Sequence, residues 1–221
     1  MFMNLEKKTL DSLVEWAKLQ LTALGQNSEF ILEPLREEAS SRRYFRIISG
    51  ESNFVLVYSS SEVDSSIKFS ALSSEFLNNG VKVPEVYSFD RKKGFMLIED
   101  FGDGLYQDLL SDKNELELYN SAFYELIKIQ TTDLKDLKKI DRNMASEQMN
   151  LFEYWFLEKY LSIRLSSAEK DCVNSAYQFI LKGFFSQPQV TCHFDYESRN
   201  LIELSPNQTG VLDFQDAVIG P

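Results

Sequence analysis

The strongest constraint on this 221-residue chain is a change of hydrophobic period near residue 100. Before that point apolar residues gather in short runs bounded by polar turns: Phe30–Glu33, Arg43–Ile48, Phe54–Tyr58, Val83–Tyr87 and Gly94–Glu99. Runs of this length, rich in Val, Ile, Phe and Tyr, predict strands, the first three as an antiparallel meander. Two helices accompany them. Residues 5–24 put Leu5, Leu13, Trp16, Ala17, Leu21 and Leu24 on one face before a capping Gly25, and residues 65–79 end at Asn78-Asn79-Gly80. After Asp100-Phe-Gly-Asp-Gly104 the spacing becomes helical, over 105–111, 114–131, about 145–161 and 167–185. The pattern predicts an α+β chain in two parts, a small antiparallel-sheet lobe over residues 1–99 and a mainly helical lobe over 100–221.

Charge narrows the function classes. The 34 acidic and 23 basic side chains give a formal net charge of -11, which repels a phosphate backbone and argues against nonspecific nucleic-acid or anionic-membrane binding. The excess is lopsided: residues 1–98 carry 12 basic and 13 acidic groups, residues 99–221 carry 11 and 21. Any phosphate handled here needs a local or metal-borne positive charge. No stretch reads as a secretory leader or a membrane span, so a cytoplasmic protein is expected. Cys172 and Cys192 are too few and unpatterned for a disulfide framework or zinc site, and read as idle thiols. The single histidine, His193, excludes any mechanism needing a histidine pair.

One constellation carries chemistry. His193-Phe-Asp195-Tyr-Glu-Ser-Arg-Asn200 has the form H-x-D-x-x-x-x-N, and Asp213-Phe214 follows thirteen residues after the asparagine. Two short apolar runs, Leu201–Leu204 and Val211–Phe214, flank the turn Ser205–Gly210. If they pair with Leu204 opposite Val211, Asn200 faces Gln215 and Asp213 becomes its diagonal neighbour, roughly 7–8 Å away. An amide oxygen and a carboxylate then converge on one cation, a donor set suited to Mg²⁺ completed by water and substrate phosphates. A one-residue slip would turn Asp213 to the other face. Asp195, beside this pair on an irregular loop, stands where a carboxylate can take the proton of an acceptor hydroxyl in phosphoryl transfer. His193 braces that loop in this reading; alone, it would read as a satisfied structural histidine. The glycines of Phe101-Gly-Asp-Gly104 fit a turn into the next helix better than a phosphate cradle.

At these residues the chain resembles the aminoglycoside phosphotransferase-like kinases, small-molecule relatives of the protein-kinase fold. The resemblance extends to the branch of amino-sugar kinases that phosphorylate the anomeric hydroxyl of N-acetylmuramate and N-acetylglucosamine in peptidoglycan recycling. It rests on Ala39-Ser-Ser-Arg-Arg-Tyr-Phe-Arg46, Gly80-Val-Lys-Val-Pro84, Gly94–Asp103, Leu151-Phe-Glu-Tyr-Trp-Phe156, the catalytic loop and Leu212-Asp-Phe-Gln-Asp-Ala217. It implies a two-lobe kinase using ATP and Mg²⁺ on a small-molecule sugar. Asp195 would be the base, Asn200 and Asp213 the metal ligands, and Glu99, Asp100 and Phe101 the hinge whose backbone meets adenine. A turn around Ser40, Ser41 and Arg42 would cover the phosphates, with Arg42 or Arg43 answering their charge; either arginine could instead be a solvated strand-edge charge.

Departures from that pattern shape the alternatives. The wider superfamily carries a lysine on its third strand, whereas Phe54-Val-Leu-Val-Tyr-Ser59 has none and Lys68 lies beyond it. Phe194 and Glu197 stand where the sugar-kinase branch usually has Arg and His. An aminoglycoside- or choline-type phosphotransferase, or a nucleotide-binding pseudokinase, are the competing readings. The resemblance ends at Asp216–Pro221, where related kinases continue into further helices, so the chain is expected to lack the last helical portion.

Overall fold

The computed structural model describes residues 5–35, 42–50, 52–59, 62–134 and 136–221. The chain divides into two compact units, residues 1–129 with 195–216, and residues 130–194 with 217–221.

The first unit is organised by a five-stranded antiparallel sheet of order β1-β2-β3-β5-β4, with β1 at Ile31–Pro34, β2 at Arg43–Ser49, β3 at Ser52–Tyr58, β4 at Val86–Asp90 and β5 at Phe95–Glu99. Because side chains alternate along a strand, the three central strands present two distinct faces. On one, Phe45, Ile47, Phe54, Leu56, Phe95 and Leu97 pack against Leu13, Trp16, Ala17 and Leu21 of helix α1, Lys7–Ala23. Full burial of such side chains contributes roughly 1.5–3 kcal/mol each. On the other face Tyr44, Arg46, Val55, Val57, Met96 and Ile98 line a cavity. Registers Tyr44↔Val57↔Met96 and Arg46↔Val55↔Ile98 set these six in two rows.

The strand expected at Val83–Tyr87 begins three residues later. Val81 and Val83 are buried, but the Lys82 N–H donates to Glu125 Oε2 (3.0 Å) and the Lys82 carbonyl accepts from Val211 N (2.7 Å), so this backbone is held by a side chain and a different strand. Helix α2, Val63–Asn78, agrees with the periodicity, as does α4, Glu115–Thr131. Helix α3 is shorter than expected, Tyr106–Leu109.

The hairpin expected around Ser205–Gly210 forms with a different register. Its strands are β7, Leu201–Ser205, and β8, Gln208–Val211, and Leu201, not Leu204, lies opposite Val211. The turn is only Pro206-Asn207, with Pro supplying the fixed φ and Asn207 in the left-handed region at φ 63°. Gln208-Thr209-Gly210 looks like loop by composition but is strand through tertiary contacts. Thr209 is fully buried, its hydroxyl bonded to Ser121 Oγ (2.7 Å) and to the Tyr106 hydroxyl. Gly210 is needed because a Cβ there would stand 2.5 Å from the Phe101 ring.

The second unit contains α5, Arg142–Leu151, running into a π-helical stretch at Phe152–Tyr160, and α6, Ser167–Phe184. The expected single helix over 145–161 thus changes its hydrogen-bonding pattern at the aromatic run, where Phe152, Phe156 and Tyr160 stack at four-residue spacing. A capping box of Ser166 and Glu169 starts α6. The segment expected to be irregular from Val190 contains β6, Val190–Cys192, paired antiparallel with β9, Val218–Gly220. Among the described residues no helix is long and apolar enough to cross a membrane.

Candidate active site

The cavity under the sheet has a volume of about 370 Å³ and is lined entirely by the first unit. Its wall brings together residues far apart in sequence: Arg42, Arg46, Glu99, Asp100, Phe101, Asn200, Asp213 and Gln215. Of the positions singled out from sequence, Asp195, Arg43 and His193 do not line it, and Ser40 and Ser41 lie outside the described residues.

Asn200 and Asp213 meet on this wall by a route other than the one expected. The Asn200 carbonyl accepts from Leu212 N (2.8 Å), placing Asp213 one residue beyond the last paired position. Asp213 then leaves the strand with φ 58°, a left-handed conformation that aspartate tolerates better than most residues. Phe214 locks the bend from beneath, fully buried, stacked on Phe69 at 4.6 Å and edge-on to Phe76 at 5.7 Å, both from α2. Asn200 is buried, and its Nδ2 donates to the Asp195 carbonyl (2.9 Å) and to Asp195 Oδ2 (3.4 Å). That leaves Asn200 Oδ1 as the acceptor still available. Asp195 itself is exposed.

These donors test the fit to a cation. An amide oxygen and a carboxylate are hard oxygen ligands, and among the described residues no group of three or more His, Cys, Asp or Glu could hold a metal unaided. The set therefore fits a Mg²⁺ ion that draws the rest of its shell from water and phosphate oxygens.

The loop carrying Asp195 is fixed by its neighbour. The Tyr196 hydroxyl donates to the Ala122 carbonyl of α4 (2.6 Å), and burial, reinforced by the Glu125 carboxylate, pushes its phenol well above the ordinary range. His193, 1% exposed, belongs to the second unit beside β6. Cys192, on β6, has its thiol pushed up by burial, and Cys172 is exposed; neither lines the cavity.

The segment after β5 is tied down at each residue. Glu99 closes β5 on the neighbouring strand's approach, donating its N–H to the Glu85 carbonyl (2.9 Å) and accepting from Glu85 N (3.2 Å). Asp100, its side chain 3% exposed, accepts from Arg46 Nε (2.6 Å), Arg46 Nη2 (3.1 Å) and Gly102 N (2.9 Å). Phe101 rests on Gly210. Gly104 admits the crossing backbone of β7, since a Cβ would stand 2.7 Å from the Glu203 carbonyl oxygen.

Three cations line the cavity. Arg199 is mostly exposed and paired with Glu197. Arg46 is held between Asp100 and the exposed Asp103, and the hydrogen bond to Asp100 above all raises its guanidinium from its ordinary value. Arg42 is buried, with Nε 3.3 Å from Glu62 Oε2 and Nη2 bonded to Ser65 Oγ. Arg43 falls on the opposite parity of β2, shared with Phe45 and Ile47. Sequence reasoning assigned no role to Arg46 or Gln215. Arg46 was accessible through parity alone, two residues from Tyr44 on one strand face; nothing in the sequence pairs it with Asp100.

A model of the phosphotransferase enzyme family matches residues 31–221, most of the chain. The chain belongs to that family. Among curated proteins it is 30% identical over 219 residues to an N-acetylmuramate/N-acetylglucosamine kinase of Pseudomonas putida, covering 96% of this chain and 64% of the relative. It is 32% identical over 191 residues to the kinase of the same description from Pseudomonas aeruginosa, covering 86% and 56%. The chain thus spans about three-fifths of the length of these relatives. Among solved structures it resembles a streptomycin–ATP ternary complex of APH(2")-IIa, with TM-score 0.65 at 18% identity over 99% of this chain and 73% of that one. The choline kinase LicA of Streptococcus pneumoniae matches with TM-score 0.62 at 13% identity over 95% and 70%. These likenesses show the expected α+β, protein-kinase-like fold of the family.

Proposed function

We propose that this chain carries the nucleotide-binding and catalytic portion of an ATP- and Mg²⁺-dependent small-molecule kinase acting on a sugar hydroxyl. The observation that carries the reading is the junction of Asn200 and Asp213 on one cavity wall, with Asp195 hydrogen-bonded to Asn200 and exposed beside it. Asp195 accepts the proton of the acceptor hydroxyl as its oxygen bonds to the γ-phosphorus, and the bond to the β-phosphate oxygen breaks, releasing ADP. A bound Mg²⁺ would supply positive charge against the departing diphosphate. Asn200 and Asp213 would hold that ion, and the cavity face of the sheet would enclose the adenine next to Glu99–Phe101. Arg42 supplies the fixed positive charge that β3 lacks, gripped by Glu62 and Ser65 at the start of α2. Residues 1–99 serve in this reading as the nucleotide lobe and 100–221 as the helical lobe.

The acceptor we favour is the anomeric hydroxyl of N-acetylmuramate or N-acetylglucosamine, the substrates named for the two Pseudomonas relatives; in this reading the protein acts in cytoplasmic cell-wall recycling. A second reading, a cationic aminoglycoside- or choline-type acceptor, is favoured by the acidic excess of residues 99–221. Turnover measured on a panel of amino sugars and cationic alcohols, with phosphorus NMR of the product, separates the two. Asp195→Ala should lower turnover by about 10²–10⁴-fold and leave ATP affinity within about two-fold. Normal turnover in that variant refutes the base assignment, and ATP binding without ADP release for any acceptor identifies a pseudokinase.

A further inference from the structure

Gln215 brings an unpaired buried amide oxygen to the cavity wall. The residue is 7% exposed and lies in the short 3₁₀ turn Phe214–Asp216. Its Nε2 donates to Asp213 Oδ1 at 2.5 Å, while its Oε1 is buried with no hydrogen-bond partner among the described residues. A buried amide oxygen left unpaired forfeits its hydration with no compensating bond, so in a native structure it points to a partner supplied from outside the chain. The neighbouring backbone adds to this: Asp213 is held at φ 58° and Phe214 is clamped by Phe69 and Phe76, so the amide cannot swing away to solvent.

The orientation of the amide follows from charge. The carboxylate of Asp213 accepts only, so the NH₂ end must face it and the carbonyl end must face elsewhere. Asn200 is arranged the same way, its NH₂ turned to Asp195 and its carbonyl left over. The wall therefore offers two amide oxygens and one carboxylate whose second oxygen, Oδ2, is not bonded to Gln215.

We propose that Gln215 is a positioning residue for the metal–nucleotide complex. It holds Asp213 in the rotamer that presents a single oxygen to the ion, and its Oε1 accepts a hydrogen from a water on that ion. This rests on the reading of Asp213 as a metal ligand. Residues that orient a ligand in this way typically change metal affinity 10–100-fold when removed.

The test uses the whole chain with Mn²⁺ and ADP as probes. Free Mn²⁺ is measured by electron paramagnetic resonance, and ADP binding in excess chelator by calorimetry. Gln215→Met is close in volume and lacks both polar ends; Gln215→Leu serves as the second variant. The expected result is a loss of Mn²⁺ affinity in the ADP complex by at least about ten-fold, with chelated ADP affinity within about two-fold of wild type. Unchanged Mn²⁺ affinity overturns the proposal. So does a parallel loss of both affinities, or loss of the fold in both variants, since either makes Gln215 a packing residue only. Asp213→Asn separates this from the underlying reading: if it leaves Mn²⁺ affinity unchanged, Asp213 is not the ligand, whereas loss there with none in Gln215→Met refutes only the role given to Gln215.

Discussion

Arg46→Met should destabilise the first unit by about 3–5 kcal/mol, the usual cost of removing one partner from a buried ion pair. The figure follows from the surroundings of Asp100. Its side chain is 3% exposed and accepts two hydrogen bonds from a guanidinium that is itself 13% exposed. Methionine fills much of the space but leaves the carboxylate with only the Gly102 N–H. Asp103 meets the same guanidinium at 2.8 Å but is 82% exposed, so Asp103→Asn should cost less than about 1 kcal/mol. Arg46→Met combined with Asp100→Asn removes both charges, keeps the acceptor for Gly102, and should recover most of the loss. The chain has two tryptophans, and a Trp155→Phe background leaves Trp16, buried against Phe95, to report unfolding of this unit. In urea the midpoint should fall by about 2 M for the single variant. A fall no larger than that of Asp103→Asn, or a double variant as unstable as the single one, would refute the reasoning.

Two further predictions concern residues that support the site from behind. Gly210→Ala forces a Cβ to 2.5 Å from the Phe101 ring, and should cost about 1–3 kcal/mol and weaken ATP binding measured by calorimetry, because Phe101 cannot shift without dragging the segment after β5. The raised Tyr196 phenol gives a pH effect: its contribution to stability is fully present below the unfolded value of about 10 and is lost as pH rises from there through the folded value. Urea midpoints between pH 8 and 11 should therefore fall less steeply in Tyr196→Phe than in wild type, an identical slope excluding Tyr196 as the titrating group.

Much of this was legible from local pattern. Strands β2, β3 and β5, helices α1, α2 and α4 and the Gly25 cap follow from periodicity and turn chemistry, because their local preference and burial agree. Where they disagree the reading failed. Gln208-Thr209-Gly210 is polar and small, yet it is strand because Tyr106, Ser121 and Phe101 need a hydroxyl and an absent side chain there. The hairpin register moved by three residues with it, and Asn200 and Asp213 share the cavity through a left-handed Asp213 that no alternation rule supplies. β9 escaped notice because its partner, β6, lies 28 residues earlier and neither strand exceeds three residues. The pairing of Arg46 with Asp100 spans 54 residues and is a product of the fold itself.

The two-faced sheet has a consequence for how such proteins change. Positions 45, 47, 54, 56, 95 and 97 answer to the packing under α1, while 44, 46, 55, 57, 96 and 98 answer to the occupant of the cavity. Side chains of the second set project away from α1, so a change there acts through the cavity face, as Arg46 does through its ion pair with Asp100. Val57, between Tyr44 and Met96 in its row, is one such position, lining the cavity on the face turned away from α1. The sheet thus divides its labour by parity, one face closing on α1 and the other shaping the cavity.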